Sequence, residues 1–297
     1  MARRHPILRR FAILAGVLLG ALLLAGGLGL FGEGDLLSRL ALRKSLGVVE
    51  LRGVIEDAGE LVEALERFRK QDATVGVVVR IDSPGGAVAP SQELYDEVWR
   101  VRAVKPVIAS LGNVAASGGY YVASAANVIV ANPGTITGSI GALMEVPYAA
   151  PLAEKIGVSE EVVKSGRFKD TGHPLRPLDG EERALLQGVV DDVLGQFVDA
   201  VARGRGMDPA RVRELADGRV YSGAQAKAAG LVDELGGLED ATRLAWQRAG
   251  KSGEPRTSQA RAHRRLWWLD LLGESWLPTR SSLAGGLLFL YRGPFAN

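Results

Sequence analysis

Two short stretches of the 297-residue chain place consecutive glycines where chemistry is possible: Asp82-Ser83-Pro84-Gly85-Gly86 and Ala116-Ser117-Gly118-Gly119-Tyr120-Tyr121. Glycine lets backbone N–H groups approach a ligand with no Cβ in the way. Two such groups aimed at one point form an oxyanion hole, usually the largest electrostatic contribution to acyl transfer. A serine at the start of a helix, as Ser117 is here, sits in a positive local potential. Either stretch alone reads first as a plain chain reversal. Their pairing after successive strands shifts that balance, because sheets of this kind bind ligands at the carboxyl ends of their strands. Other catalytic groups are few. Histidine occurs at His5, His173 and His263. A Ser-His-Asp triad through His173 stays formally open, although a solvated loop histidine explains it as well. Cysteine is absent, which excludes disulfides, thiolate metal sites and a cysteine nucleophile. No metalloprotease helix motif or close His/carboxylate cluster occurs, so neither a metal nor a cofactor is expected.

The elements that must position these turns follow from periodicity. Val48 to Ile55 reads as a strand. Leu61, Leu65 and Phe68 then fall on one face of a helix, opposite Glu63, Glu66 and Arg67. Val75 to Ile81 is a nearly continuous β-branched run, as expected of a strand buried on both faces. A helix over 91–102 carries Leu94, Val98 and Val101 on one side. Strands over 106–111 and 128–131 flank a small-residue helix over 117–126. Strand and helix alternating in this rhythm indicate βαβ crossovers and a mostly parallel sheet. Asp179 and Glu182 form a capping box ahead of a long helix whose apolar side is Leu185, Val189, Val193 and Phe197. Asp208-Pro209 opens a shorter helix, and another runs over 224–229 and stops at Gly230. The mixed pattern supports one α/β domain over 47–250.

Five motifs taken in order are specific. Ile81-Asp82-Ser83-Pro84-Gly85-Gly86, Ala116-Ser117-Gly118-Gly119-Tyr120-Tyr121, Thr137-Gly138-Ser139-Ile140-Gly141, Lys164-Ser165-Gly166-Arg167-Phe168-Lys169-Asp170 and Gly218-Arg219-Val220-Tyr221-Ser222-Gly223 together resemble the signal peptide peptidase A family. Gly230-Leu231-Val232-Asp233 extends the match, which covers roughly residues 47 to 250. The short, single-repeat bacterial form is the nearer one. The resemblance implies a Clp protease/crotonase fold and a serine endopeptidase. It assigns Ser117 as nucleophile and Lys169 as general base. Ser139 would hydrogen-bond the lysine, and the N–H groups of Gly86 and Gly118 would form the oxyanion hole. It also implies a homo-oligomer in which serine and lysine of one site come from neighbouring subunits.

The chemistry sets a condition on Lys169. A lysine acts as a base only when neutral. Bringing an ordinary value of about 10.4 to neutrality needs a drop of roughly 3 units, equivalent to about 4 kcal/mol against the charged form. Burial between subunits would supply this. Asp170 would oppose it if it faced the ammonium. In an extended segment neighbours point to opposite sides, so it is expected to face away. Arg167, two residues back, would share the lysine's face and help.

The ends of the chain carry a different signal. Arg3, Arg4, Arg9 and Arg10 precede an uncharged apolar run from Phe11 to Phe31, and Glu33 and Asp35 follow it. As a helix the run is about 32 Å long, enough to cross a bilayer's hydrocarbon core. Its charge asymmetry predicts a cytoplasmic segment over 1–10, a single-pass anchor over 11–31 and an extracytoplasmic catalytic domain at the cell membrane. A cleaved secretory signal is the competing reading, disfavoured by the run's length and by the lack of a small-x-small cleavage site. Over 251–297 the chain is first polar and basic, read as a flexible segment. It then becomes rich in Trp and Leu, which suits either a membrane interface or docking on the domain or a neighbour. The Leu287 run is too short to span a bilayer.

A net charge of +2 gives no basic excess for nucleic acid. The expected substrates are signal peptides left after secretion, or other membrane-associated peptides. A crotonase-type acyl-CoA enzyme shares glycine-rich oxyanion turns, but a membrane anchor does not suit it. An inactive membrane scaffold with a protease fold is the third possibility.

Overall fold

A computed structural model describes Gly16, residues 44–260 and Leu287–Leu290. Apart from Gly16, the apolar run over 11–31 lies outside the described residues, as does most of the Trp-rich tail. Among those described, no helix is long and apolar enough to cross a membrane.

The centre of the fold is a mostly parallel sheet. Strands β1 (Ser45–Arg52) and β2 (Thr74–Ser83) are followed by a short β3 (Gly85–Ala87), and then by β4 (Val107–Ala116), β5 (Val128–Ala131) and β6 (Ile136–Gly138). After β7 (Leu143–Met144) come β8 (Val220–Ser222), β9 (Glu234–Leu235) and β10 (Thr257–Gln259). The main sheet runs β10-β1-β2-β4-β5-β9, with β6 on the far part of β4 and β8 on β6. All of its pairs are parallel except β6 with β8. A second, smaller sheet is made of β3, β11 (Leu287–Leu290) and β7.

The continuous apolar strands are explained by cover on both faces. Val77, Val79 and Ile81 of β2 share one core with Val107, Ala109 and Leu111 of β4. The alternate residues Val78 and Ile108 join Leu46, Val48, Val128 and Val130 in a second core. A two-residue side-chain period divides each strand in this way. The first face is covered by α1 (Gly59–Lys70), α2 (Val88–Arg102), α3 (Gly118–Ser124) and the end of α5 (Gly180–Arg205). The second is covered by α8 (Leu238–Arg248), through Ala241, Ala245 and Trp246. The short helices α4 (Ala150–Lys155), α6 (Pro209–Leu215) and α7 (Gly223–Ala228) complete the domain.

The capping box is present. The Asp179 carboxylate accepts from the Glu182 N–H at 2.8 Å, and the Glu182 carboxylate accepts from the Asp179 N–H at 3.1 Å. Such a cap stabilises the helix start by about 1 kcal/mol. The expected apolar side of α5 divides in two. Val193 and Phe197 are buried, whereas Leu185 and Val189 are exposed. A second expectation needs correcting: residues 257–259 belong to no flexible segment but form β10, parallel to the edge strand β1. Here hydrogen-bonding to an open strand edge outweighs the polar composition.

Candidate active site

Strands β2 and β4 are adjacent and parallel, so their carboxyl ends emerge side by side. The first glycine turn ends β2 and the second ends β4. Asp82 ties the two together, its carboxylate accepting from the Val114 N–H at 3.1 Å. Ser83, fully buried, accepts from the Gly85 N–H through Oγ at 3.1 Å and shapes the bend into β3. The turns then touch. A Cβ on Gly119 would lie 2.8 Å from the Ser83 carbonyl oxygen, and one on Gly86 would lie 2.2 Å from the carbonyl oxygen of Ile55. No real side chain fits at either distance, so glycine at 119 lets the two turns close on one another and glycine at 86 lets the first turn pack against the Ile55 backbone.

Ser117 occupies the strand-to-helix corner with φ 52° and ψ −118°. A non-glycine residue there costs about 1–3 kcal/mol and persists only where its surroundings hold it. The hold is visible. The Ser117 N–H donates to the Gly138 carbonyl at 2.8 Å, and its carbonyl accepts from the Tyr121 N–H at 2.8 Å. Helix α3 is buried along its whole length. Tyr120 anchors it by donating to the Leu231 carbonyl at 2.8 Å, and Tyr121 sits edge-on to Tyr95 and Phe197 at centroid distances of 5.0 and 4.9 Å. Burial raises the Tyr120 phenol above its ordinary range and pushes that of Tyr121 up to about 12. Both therefore stay neutral near pH 7 and act as packing. The Gly118 N–H opens the helix and has no intrahelical acceptor.

The segment bearing Ser139 is fastened to β4 by two threonines. Thr135 and Thr137 donate through Oγ1 to the carbonyls of Gly112 and Ala115, at 2.7 and 2.6 Å. Ser139 is also left-handed, with φ 51°, and its N–H donates to the Arg219 carbonyl at 2.9 Å. Both serines are buried, and neither Oγ has a hydrogen-bond partner among the described residues. The fold thus gathers Ser117, Gly118, Gly86 and Ser139 around the adjacent carboxyl ends of β2 and β4. Sequence reasoning did not single out Asp82, Ser83, Thr135 or Thr137 as supports, although each lies in or beside a quoted motif.

Lys169 stands apart. It is exposed on a turn, its N–H bonded to the Gly166 carbonyl at 3.1 Å, and its amine makes no ion pair or hydrogen bond among the described residues. Its neighbours are committed elsewhere. Asp170 pairs with Lys164 at 2.6 Å and with Arg176 at 3.0 Å. Hydrogen bonds from these two cations hold its carboxyl well below the usual range. Arg176 also pairs with Glu182, so the turn is laced to the start of α5. Asp170 lies in a turn rather than an extended segment, and its carboxylate is engaged by Lys164 and Arg176. Arg167 pairs with Glu181 at 2.5 Å. His173 engages Glu160 at 3.3 Å and the Leu175 N–H; it makes no bond to Ser117. Among the described residues no group of three His, Asp or Glu side chains gathers that could hold a metal.

Comparison with known proteins places this arrangement. The sequence pattern of peptidase family S49 matches residues 100–251. A putative protease of Synechocystis sp. is 43% identical over 210 residues, covering 70% of this chain and 76% of its own. A putative signal peptide peptidase SppA of Enterococcus faecium is 36% identical over 215 residues, 68% of this chain and 62% of its own. The chloroplastic serine protease SPPA of Arabidopsis thaliana is 37% identical over 229 residues, 75% of this chain and 34% of its own. The chain thus spans three quarters of the first relative and less than two thirds of the other two. It belongs to peptidase family S49, the SppA type of serine peptidase.

Proposed function

We propose that the chain is a membrane-anchored endopeptidase of the Clp protease/crotonase fold, in which Ser117 attacks the scissile carbonyl and Lys169 of a neighbouring subunit is the general base. The N–H groups of Gly86 and Gly118 stabilise the tetrahedral oxyanion, and the acyl-enzyme on Ser117 Oγ is then hydrolysed. Ser139, one residue beyond the carbonyl that holds Ser117, orients the incoming lysine. No cofactor enters the reaction. The carrying observation is the strained Ser117 corner closed against the Gly86 turn. Strain at a buried hydroxyl is retained where it aims a reactive group.

The exposed position of Lys169 supports a base delivered between chains. A lysine in water is a cation, and only a partner's cover can neutralise it. The surface of the same region is apolar: Tyr148, Leu152, Ile156, Val163 and Phe168 are exposed, as are Leu185 and Val189 on α5. Exposed apolar side chains in this number, on the segment that carries Lys169 and on α5, fit a homo-oligomer interface. The anchor over 11–31 would hold the extracytoplasmic domain at the membrane, where spent signal peptides and similar apolar peptides lie. Labelling with a serine-directed fluorophosphonate tests the reading. Wild-type protein is expected to label, and both Ser117→Ala and Lys169→Ala to lose the label. A fully reactive Lys169→Ala would remove the lysine from the mechanism.

A further inference from the structure

The end of the domain opposite the serine turns carries two arginines without an acidic partner among the described residues. Strands β1, β2, β4 and β5 are parallel neighbours, so their first residues Ser45, Thr74, Val107 and Val128 share one end of the sheet. Helix α2 finishes at that end. There Arg102 donates through Nη1 to the carbonyls of Ala125, Ala126 and Gly204 at 3.2, 3.1 and 3.3 Å, which ties in the ends of α3 and α5. Its other two guanidinium nitrogens make no bond among the described residues. Arg203, exposed on α5, has a guanidinium with neither an ion pair nor a hydrogen bond among them. Both guanidinium carbons lie against the half-buried Trp99 ring, 4.5 Å from its centroid for Arg102 and 4.1 Å for Arg203. The basic groups around them are answered: Arg69 and Arg100 pair with Glu97, Lys70 with Glu66, and Arg205 with Asp233. Burial lowers the pKa of Arg102 most, and the nearby charges of Arg205 and Arg203 add to it.

We infer that Trp99, Arg102 and Arg203 form a site for the phosphate of an anionic phospholipid, which seats the amino end of the sheet on a bilayer surface. Guanidinium groups present planar donors that match phosphate oxygens. Helix dipoles favour cations at these helix ends, but two like charges on one ring repel, and an anion shared by both removes that repulsion. Lipid fits better than a soluble anion because apolar surface lies beside the arginines. Val104, in the turn between α2 and β4, is 63% exposed, and a tryptophan beside arginine is at home at headgroup depth. A soluble anion would leave both in water. Ser45, the first residue of β1, is at the same end of the sheet, and the apolar run over 11–31 precedes it in the sequence. The inference shares with the membrane reading only the presence of a bilayer. A domain seated this way carries Ser117 away from the surface, at the far ends of ten-residue strands that are about 33 Å long.

The chain has no cysteine, so a single thiol can carry an environment-sensitive dye without a competing site. Full-length Val104→Cys labelled with the fluorophore NBD is placed in phosphatidylcholine nanodiscs. Its emission is expected to brighten and shift to the blue when about a third of the lipid is phosphatidylglycerol. About 1 M NaCl, where the screening length is about 3 Å, should reverse the change. Arg203→Gln, at an exposed position without a hydrogen bond to lose, should lower the ratio of seated to free domains about fivefold. The same dye on Val54→Cys, 51% exposed beyond the carboxyl end of β1, should not respond. A Val104 signal indifferent to phosphatidylglycerol, or a response unchanged by Arg203→Gln, would overturn the inference. So would an equal response at Val54, or an equal response to glycerol 3-phosphate added to the phosphatidylcholine discs, which would assign the arginines to a soluble anion. Should the chain fail to insert into either disc, phosphatidylglycerol vesicles added to the labelled protein decide this inference separately from the anchor.

Discussion

The Ser117 corner makes a prediction about stability that needs no substrate. Its φ of 52° and ψ of −118° lie where a Cβ is penalised and glycine is not. Ser117→Ala keeps the Cβ and so keeps the strain, losing only a hydroxyl without a partner among the described residues. Ser117→Gly removes the strain, about 1–3 kcal/mol. Against this stands the greater freedom of glycine in the unfolded chain, about 0.4–1 kcal/mol. The strain is the larger effect, so Ser117→Gly should be more stable than Ser117→Ala by about 1 kcal/mol. For a domain of this size that corresponds to about 2–4 °C in Tm. Differential scanning calorimetry of the two variants, both catalytically dead, measures the difference directly. A Ser117→Gly protein that melts at or below Ser117→Ala would refute the argument that the corner stores strain.

Three further outcomes follow from the geometry. Gly86→Ala puts a Cβ 2.2 Å from the Ile55 carbonyl oxygen, forcing β3 to shift. Labelling and kcat should fall about 10²–10³-fold, the usual loss for a displaced oxyanion donor, with Ser117 still present by mass spectrometry. Glu182 is held by hydrogen bonds from Arg176 down to about 2, from an ordinary 4.5. A carboxyl depressed on folding contributes stability above its unfolded value and loses it as pH falls through the folded one. Tm should therefore drop between about pH 4.5 and 2 in the wild type, and less steeply in Glu182→Gln. Leu152→Glu with Ile156→Glu, both at exposed positions, should leave the monomer folded, since such surface changes cost about 0.5 kcal/mol or less. Light scattering should show the oligomer dissociated and labelling lost with it.

What the sequence made legible was local. The β-branched run through Val77, Val78 and Val79 announced a strand covered on both faces, and the structure divides those residues between two cores. Asp179 and Glu182 marked the start of α5 because a capping box is a contact between near neighbours. What stayed hidden was non-local. Thr257–Gln259 carries no apolar pattern, and it is a strand only because β1 offers an edge some 200 residues earlier. The partner of Leu287–Leu290 could not be read from its composition, which suited a membrane interface equally well. Leu185 and Val189 gave a correct helix period and a wrong burial, since period identifies a face without identifying what covers it. The same holds at the site. Motif order named Ser117 and Lys169 together, but the described fold gathers Ser117 with Gly86, Gly118 and Ser139 and leaves Lys169 exposed.

Complementation between inactive chains tests the shared site most directly. Ser117→Ala and Lys169→Ala are each expected to be silent towards the fluorophosphonate. Co-expressed in equal amounts, they form some sites with serine from one variant and lysine from the other, about a quarter of the total under random mixing around a ring. Labelling should return to about that fraction, carried entirely by the Lys169→Ala chain. Mixed assemblies that form but remain unlabelled, while wild type labels fully, would contradict a base delivered by the neighbouring subunit.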